Sequence, residues 1–184
     1  ADEALYVNLD HYGYRVDSSV VKGVSLNGLR TFTDYGNYKD VTNMSNYAEP
    51  VINGDSVTWQ LPENSKERFY YECQLDNDEV VLPWDFDVSY KLNGIPKEAK
   101  DLVHANGLVE MEVHCIPNKN AREYYRNNML LQVATMVNMK DVNAVEAPGS
   151  QTQALGTYKV VIFAAVPGEE KTFHIGISTT DFES

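Results

Sequence analysis

Asp85 and Asp87 are the residues whose type and spacing come nearest to chemistry. They stand two apart in VLPWDFDVSYKLNG, from Val81 to Gly94, and an extended strand would place them on one face about 7 Å apart. A pair of carboxylates at such a distance is what glycoside hydrolysis uses, one as acid and the other as base or nucleophile. That chemistry needs one of the two buried with a raised pKa. The same stretch has a plainer reading as a half-buried strand, because Leu82, Trp84, Phe86, Val88, Tyr90 and Leu92 alternate with polar residues throughout. Nothing in the neighbouring sequence encloses the Asp85/Asp87 face, so a solvated strand face is the expectation.

The other reactive residue types are more dispersed. LDNDE, Leu75 to Glu79, gathers oxygen ligands that could hold Ca²⁺, but it lacks the loop spacing of a dedicated calcium site and reads as an acidic hairpin turn. His11, His104, His114 and His174 show no HxH or HExxH spacing, so neither a metal site nor a metal cofactor is expected. The serines lack a GxSxG elbow and the glycines lack a phosphate-cradling loop. No catalytic residue is assigned, and the chain is read as a non-enzyme that needs no cofactor.

Tyrosine is the compositional oddity, at 12 residues against 6 Phe and 2 Trp. Its ring stacks while its hydroxyl bonds, which suits a platform for a sugar or a protein. Tyr35, Tyr38 and Tyr47 fall in a turn-rich segment and are the first candidates for ligand binding. Cys73 shares a strand face with Phe69, Tyr71 and Leu75, and Cys115 shares one with Val109, Met111 and Val113. Two inward cysteines on separate strands are either a cross-core disulfide or two inert buried thiols, and spacing does not decide between them.

The elements that must position these groups are mostly strands. LYVNL and YRVDSSVV alternate on either side of DHYG and predict a hairpin turning at Gly13. DSVTWQL, ERFYYECQL, LVEMEVHCIP and KTFHIGIST alternate in the same way. Tyr158 to Val166 is apolar on both faces, the pattern of a strand covered on two sides. One short helix is expected at about residues 96–105, where Pro96, Ala99, Leu102 and Val103 precede Asn106-Gly107. The sum is a mainly β chain, a β-sandwich-like antiparallel domain with that one helix. A single domain over residues 1–184 is expected, with a smaller loop-rich lobe at 1–62 as the alternative division.

Composition bounds the partners. A chain of 184 residues with 43% hydrophobic residues can bury its own core. The formal net charge of -12 repels phosphate backbones and anionic headgroups, so nucleic acid is not an expected partner. No apolar run reaches the roughly 18 residues of a membrane helix, so membrane attachment would come through segments outside this chain. The start at Ala1-Asp2-Glu3 is read as following removal of a signal peptide or trimming from a longer chain.

The strands EALYVNLDHYG and LPWDFDVSYKLNGIPKEAKDLVHANGLVEMEV, with VNMKDVNAVEAPG leading to VVIFAAVPG, resemble an uncharacterised family of exported, membrane-anchored proteins of Gram-positive bacteria. The likeness is strongest over residues 3–13 and 82–114. It departs at the two cysteines and at AREYYRNN, Ala121 to Asn128. The resemblance implies an extracytoplasmic β-rich segment, secreted or anchored at the cell surface, and transfers no catalytic residue.

The leading expectation is therefore a non-enzymatic extracytoplasmic binding or assembly module whose partner is a cell-surface glycan or protein. Recognition is expected in residues 23–54 and 119–128. A carbohydrate-active enzyme using Asp85 and Asp87, and a structural spacer in a longer membrane protein, are the alternatives.

Overall fold

A computed structural model describes residues 2–10, 15–36, 38–62, 68–75 and 81–182, with the side chains of residues 2, 15 and 16 left aside. Gly13 of the expected first turn and residues 76–79 of LDNDE lie outside them.

The described residues form β1 (Asp2–Leu9), β2 (Arg15–Ser25), β3 (Thr31–Tyr35), β4 (Asp40–Asn43), β5 (Val51–Asn53), β6 (Ser56–Gln60), β7 (Arg68–Gln74) and β8 (Trp84–Leu92). They continue with β9 (Ile95–Lys97), β10 (Gly107–Pro117), α1 (Glu123–Asn128), β11 (Leu130–Asn138), β12 (Val142–Glu146), β13 (Gln151–Leu155), β14 (Tyr158–Ala165) and β15 (Lys171–Thr179). The chain is mainly β, as its alternation requires. Three sheets result: a seven-stranded one in the order β13-β14-β11-β1-β2-β7-β4, a five-stranded one β12-β15-β10-β8-β9, and a three-stranded one β3-β6-β5. Pairing is antiparallel except for β1 against β11, which run parallel.

One face of the long sheet carries two covers. Its inner row runs Ala165, Leu131, Leu5, Val20, Cys73, Val41 across the paired strands. Over β14, β11 and β1 it meets the five-stranded sheet, with Trp84, Val109, Met111, Val113, Phe173 and Ile175 buried against it. Phe163 of β14 and Phe173 of β15 stack across this interface at 4.5 Å between centroids. Over β7 and β4 it meets the three-stranded sheet, which buries Val57, Trp59, Phe69 and Tyr71 in a second cluster. The smaller lobe is thus not residues 1–62, because β1, β2 and β4 lie inside the long sheet and the second cover is built by β3, β5 and β6.

Three local outcomes differ from the sequence expectation. The helix at 96–105 is reduced to a 3-10 turn, Ala99–Leu102. Asn93 and Gly94 both take positive φ, 50° and 81°, the turn that folds a strand straight back on itself. Ile95–Lys97 therefore pairs with Leu92–Tyr90, and Pro96 sits on an edge strand where its missing N–H costs nothing. A six-residue helix, Glu123–Asn128, forms instead inside AREYYRNN. It is signalled by buried Ala121, half-buried Tyr125 and buried Met129 at helical spacing. Finally, β14 buries Val161, Phe163 and Ala165 on one face only, while Val160 and Ile162 are half-buried and Ala164 is exposed. It lies next to the edge strand β13 and is not covered on two sides.

No helix among the described residues is long and apolar enough to cross a membrane, which says nothing of spanning by strands.

Candidate functional site

Asp85 and Asp87 lie on the outer face of β8, and both are exposed. Register places Asp87 beside His114 and Ser89 beside Glu112 of β10, with His174 of β15 across from Glu112. His174 Nε2 lies 2.8 Å from Glu110 Oε2, and His114 Nε2 lies 3.1 Å from Glu170 Oε2. The face is laced with polar pairs. A depression between Ser89, Lys91, Glu110, Glu112 and His174 holds about 20 Å³, room for about one water. A glycosidase acid needs a burial that neither Asp has, and a sugar ring would not fit the depression. Among the described residues no group of three or more His, Cys, Asp or Glu is placed to hold a metal ion.

The three candidate tyrosines part company. Tyr35 ends β3 and is 71% exposed, and Tyr47 is fully exposed. Tyr38 is half-buried against both core clusters, and its hydroxyl accepts from Lys22 Nζ at 2.7 Å. It belongs to the interior and not to a platform, because its ring packs against both clusters and its hydroxyl meets Lys22 of β2.

Tyr38 leads to a buried polar knot. Lys22, on the inward parity of Ser18 and Val20, is 6% exposed. Its ammonium donates to Asp34 Oδ2 at 2.8 Å and lies 3.6 Å from Glu3 Oε1. Tyr71 donates to the same Asp34 oxygen at 2.9 Å. Burial alone would lower the lysine pKa, but the bonds to Asp34 and Tyr38 outweigh it and hold the ammonium above the ordinary lysine range. Such a lysine stays charged, so it cannot serve as a nucleophile. Burial pushes the Tyr38 and Tyr71 hydroxyls up as well. The knot joins β1, β2 and β7 of the long sheet to β3 of the small one, at the seam of the two cores. Buried charge of this kind fixes geometry more than it adds stability. A sequence signal existed in a lysine and an aspartate on strand faces that otherwise point inward.

The two cysteines are free thiols in different clusters, Cys115 under the five-stranded sheet and Cys73 under the small one. No cross-core disulfide joins them. Burial raises both, to about 12, which keeps the thiols neutral and unreactive.

Six of the sixteen exposed large apolar side chains among the described residues lie close together in sequence. Leu29, Tyr35, Met44, Tyr47, Val51 and Ile52 all fall within residues 29–52. On the outer face of the small sheet, Tyr35 pairs with Ser56 and Asn53 pairs with the same residue, while Thr33 pairs with Thr58. The two threonine hydroxyls are 3.1 Å apart. Strands β3 and β5 form the two edges of this sheet. Beneath, Trp59 packs on Phe69 and Tyr71 at 4.9 and 5.3 Å, so the face rests on a rigid aromatic layer.

No family model matches the chain, and no curated protein matches it. Among solved structures, 31 chains match. One is a two-domain M1 zinc metallopeptidase, a point mutant bound to L-arginine, at 11% identity and a TM-score of 0.38, covering 95% of this chain. The chain spans 41% of that protein's length. A likeness this weak says nothing of what the present chain does.

Proposed function

We propose that this chain is a non-enzymatic binding or assembly module that works outside the cytoplasm at a bacterial cell surface, with the small lobe as its recognition face. The observation that carries the reading is that six of the sixteen exposed large apolar side chains among the described residues, Leu29, Tyr35, Met44, Tyr47, Val51 and Ile52, fall within the short span 29–52. Exposed apolar groups concentrated in one region mark interaction surfaces, whereas scattered ones are ordinary. The lobe is also held in place, by the aromatic layer below and by the Lys22–Asp34 bond at the seam. A rigid scaffold lowers the ordering cost of binding. The compartment rests on the resemblance to exported proteins, and the acidic net charge of -12 is in keeping with a partner other than nucleic acid.

A protein partner is favoured, since large apolar side chains are what protein interfaces bury at their centres. A glycan is the second reading. It is favoured by the exposed ring of Tyr35 on the same sheet face as Thr33, Thr58, Ser56 and Asn53, where stacking and hydroxyl contacts could act together.

Binding of the fluorescently labelled chain to intact Gram-positive cells and to isolated cell-wall glycan tests both. Retention on cells that is lost in Tyr35→Ala/Tyr47→Ala supports the lobe as the recognition face, provided stability shifts by no more than about 0.5 kcal/mol. Retention by the glycan alone selects the second reading. Retention unchanged by the double substitution, or none on cells at all, defeats the assignment.

A further inference from the structure

The principal core is not filled along its whole length. Where Phe163 stacks on Phe173 the space between the long and five-stranded sheets is closed by rings. Toward the other end the inward positions of β11 carry Thr135 and Val137, and those of β10 and β15 carry Val109, Ile175 and Ile177. Short β-branched side chains do not reach across the roughly 10 Å that separate facing sheets. A cavity of about 160 Å³ is left there, lined chiefly by these residues with Tyr90 and Met111. Phe182 closes one side. It is held by a reciprocal backbone pair, its N–H to Ala105 O and its carbonyl to His104 N–H, both 2.9 Å. Half-buried Val142 and Asn138 and exposed Met136 and Tyr158 border the cavity toward solvent.

Close packing is the rule in protein interiors, and a concave site lined mostly by apolar side chains with a few polar groups is where small molecules bind. We infer that the void is a binding site for a neutral, ring-sized apolar molecule, or a group of that size on a larger ligand. Among the lining residues Thr135 and Tyr158 carry hydroxyls, which favours a ring carrying one hydroxyl over a bare hydrocarbon. Charge is disfavoured, since none of the lining residues is ionic and an unpaired ion in an apolar site is costly. This inference is independent of the recognition face on the small lobe.

The test uses the whole chain with benzene and with phenol, which differ by the hydroxyl alone. Melting temperature and the methyl NMR signals of Met111 and Met136 are followed as each is titrated. The expected result is a saturable rise of about 2–4 °C, larger for phenol, with shifts of both methionine methyls. Val109→Phe, which fills the void, should abolish the response. Val142→Phe, at the rim, does so without loading the core and serves if the first variant does not fold. No saturable rise with either compound, or a rise that persists in Val142→Phe, overturns the inference.

Discussion

Over β14, β11 and β1 the long sheet is packed mostly by aliphatic chains, and the packing ends in a void. Over β7 and β4 it is packed by the rings of Trp59, Phe69, Tyr71 and Phe32, and the packing ends at a knot of buried charge. The contrast follows from size. The five-stranded sheet offers enough inward positions to build a core from many small contributions, so it tolerates a gap. The three-stranded sheet has few, so Phe32 and Trp59 meet Phe69 and Tyr71 of β7 as large rings, and Lys22 with Asp34 fixes what the small area cannot. A rigid small lobe can then expose apolar side chains without losing its shape.

The sharpest way to break this comparison is to empty one position in each half. Trp59→Ala should cost about 4 kcal/mol, the range for removing a buried large aromatic, and Phe163→Ala a similar amount. The two should differ in kind. Amide exchange in Trp59→Ala is expected to accelerate in β3, β5 and β6 with the five-stranded sheet still protected, while Phe163→Ala weakens both halves together. Uniform acceleration in both variants would mean that the halves are one cooperative unit.

Next in size is Lys22→Met, expected to cost about 3 kcal/mol because it leaves the Asp34 and Glu3 carboxylates buried without their cation. Urea unfolding measures it. Adding Asp34→Leu should recover part of the loss. If the double variant is no better than the single one, the knot is not the joint between the halves.

The smallest effect sharpens the comparison through pH. Cys73 and Cys115 ionise at 9.0 when unperturbed and near 12 in the fold, so their native environment favours the neutral thiol. That contribution is whole below pH 9 and is lost as pH rises toward 12. Tyr38, Tyr71 and Lys22 are shifted in the same upward sense and act with the same sign. Four of these five groups lie at or beside the small cluster. Alkaline titration followed by amide exchange should therefore release the small lobe first, and simultaneous release would contradict the asymmetry.

Much of the fold was legible because alternation fixes strand faces. The inward sets Leu5/Val7/Leu9, Val57/Trp59/Leu61, Phe69/Tyr71/Cys73 and Phe173/Ile175/Ile177 are all buried as their parity requires. The β-rich, sandwich-like class follows from them. Partner choice was not legible, since period-2 patterns do not say which strands meet, and the β1–β11 pairing spans most of the chain. The helix expected at 96–105 is shortened to Ala99–Leu102 because the Asn93-Gly94 turn, itself visible, extends the strand past Pro96. At the candidate site, Tyr35 and Tyr47 could be found from their turn-rich surroundings, but Tyr38 could not be told apart from them. Its burial depends on β2, distant in sequence. The void leaves no trace in a pattern, because it is a mismatch between facing sheets.

The parallel pairing of β1 with β11 also orders events in time. β1 can close its hairpin with β2 as soon as both exist, but its other edge finds its partner only when residues 130–138 are in reach. Joining positions so far apart is the slow kind of pairing, and an unpaired strand edge is an invitation to other chains. Ala4 to Leu9, sealed in the middle of the finished sheet, is thus its most vulnerable edge during assembly, and aggregation in refolding should begin there.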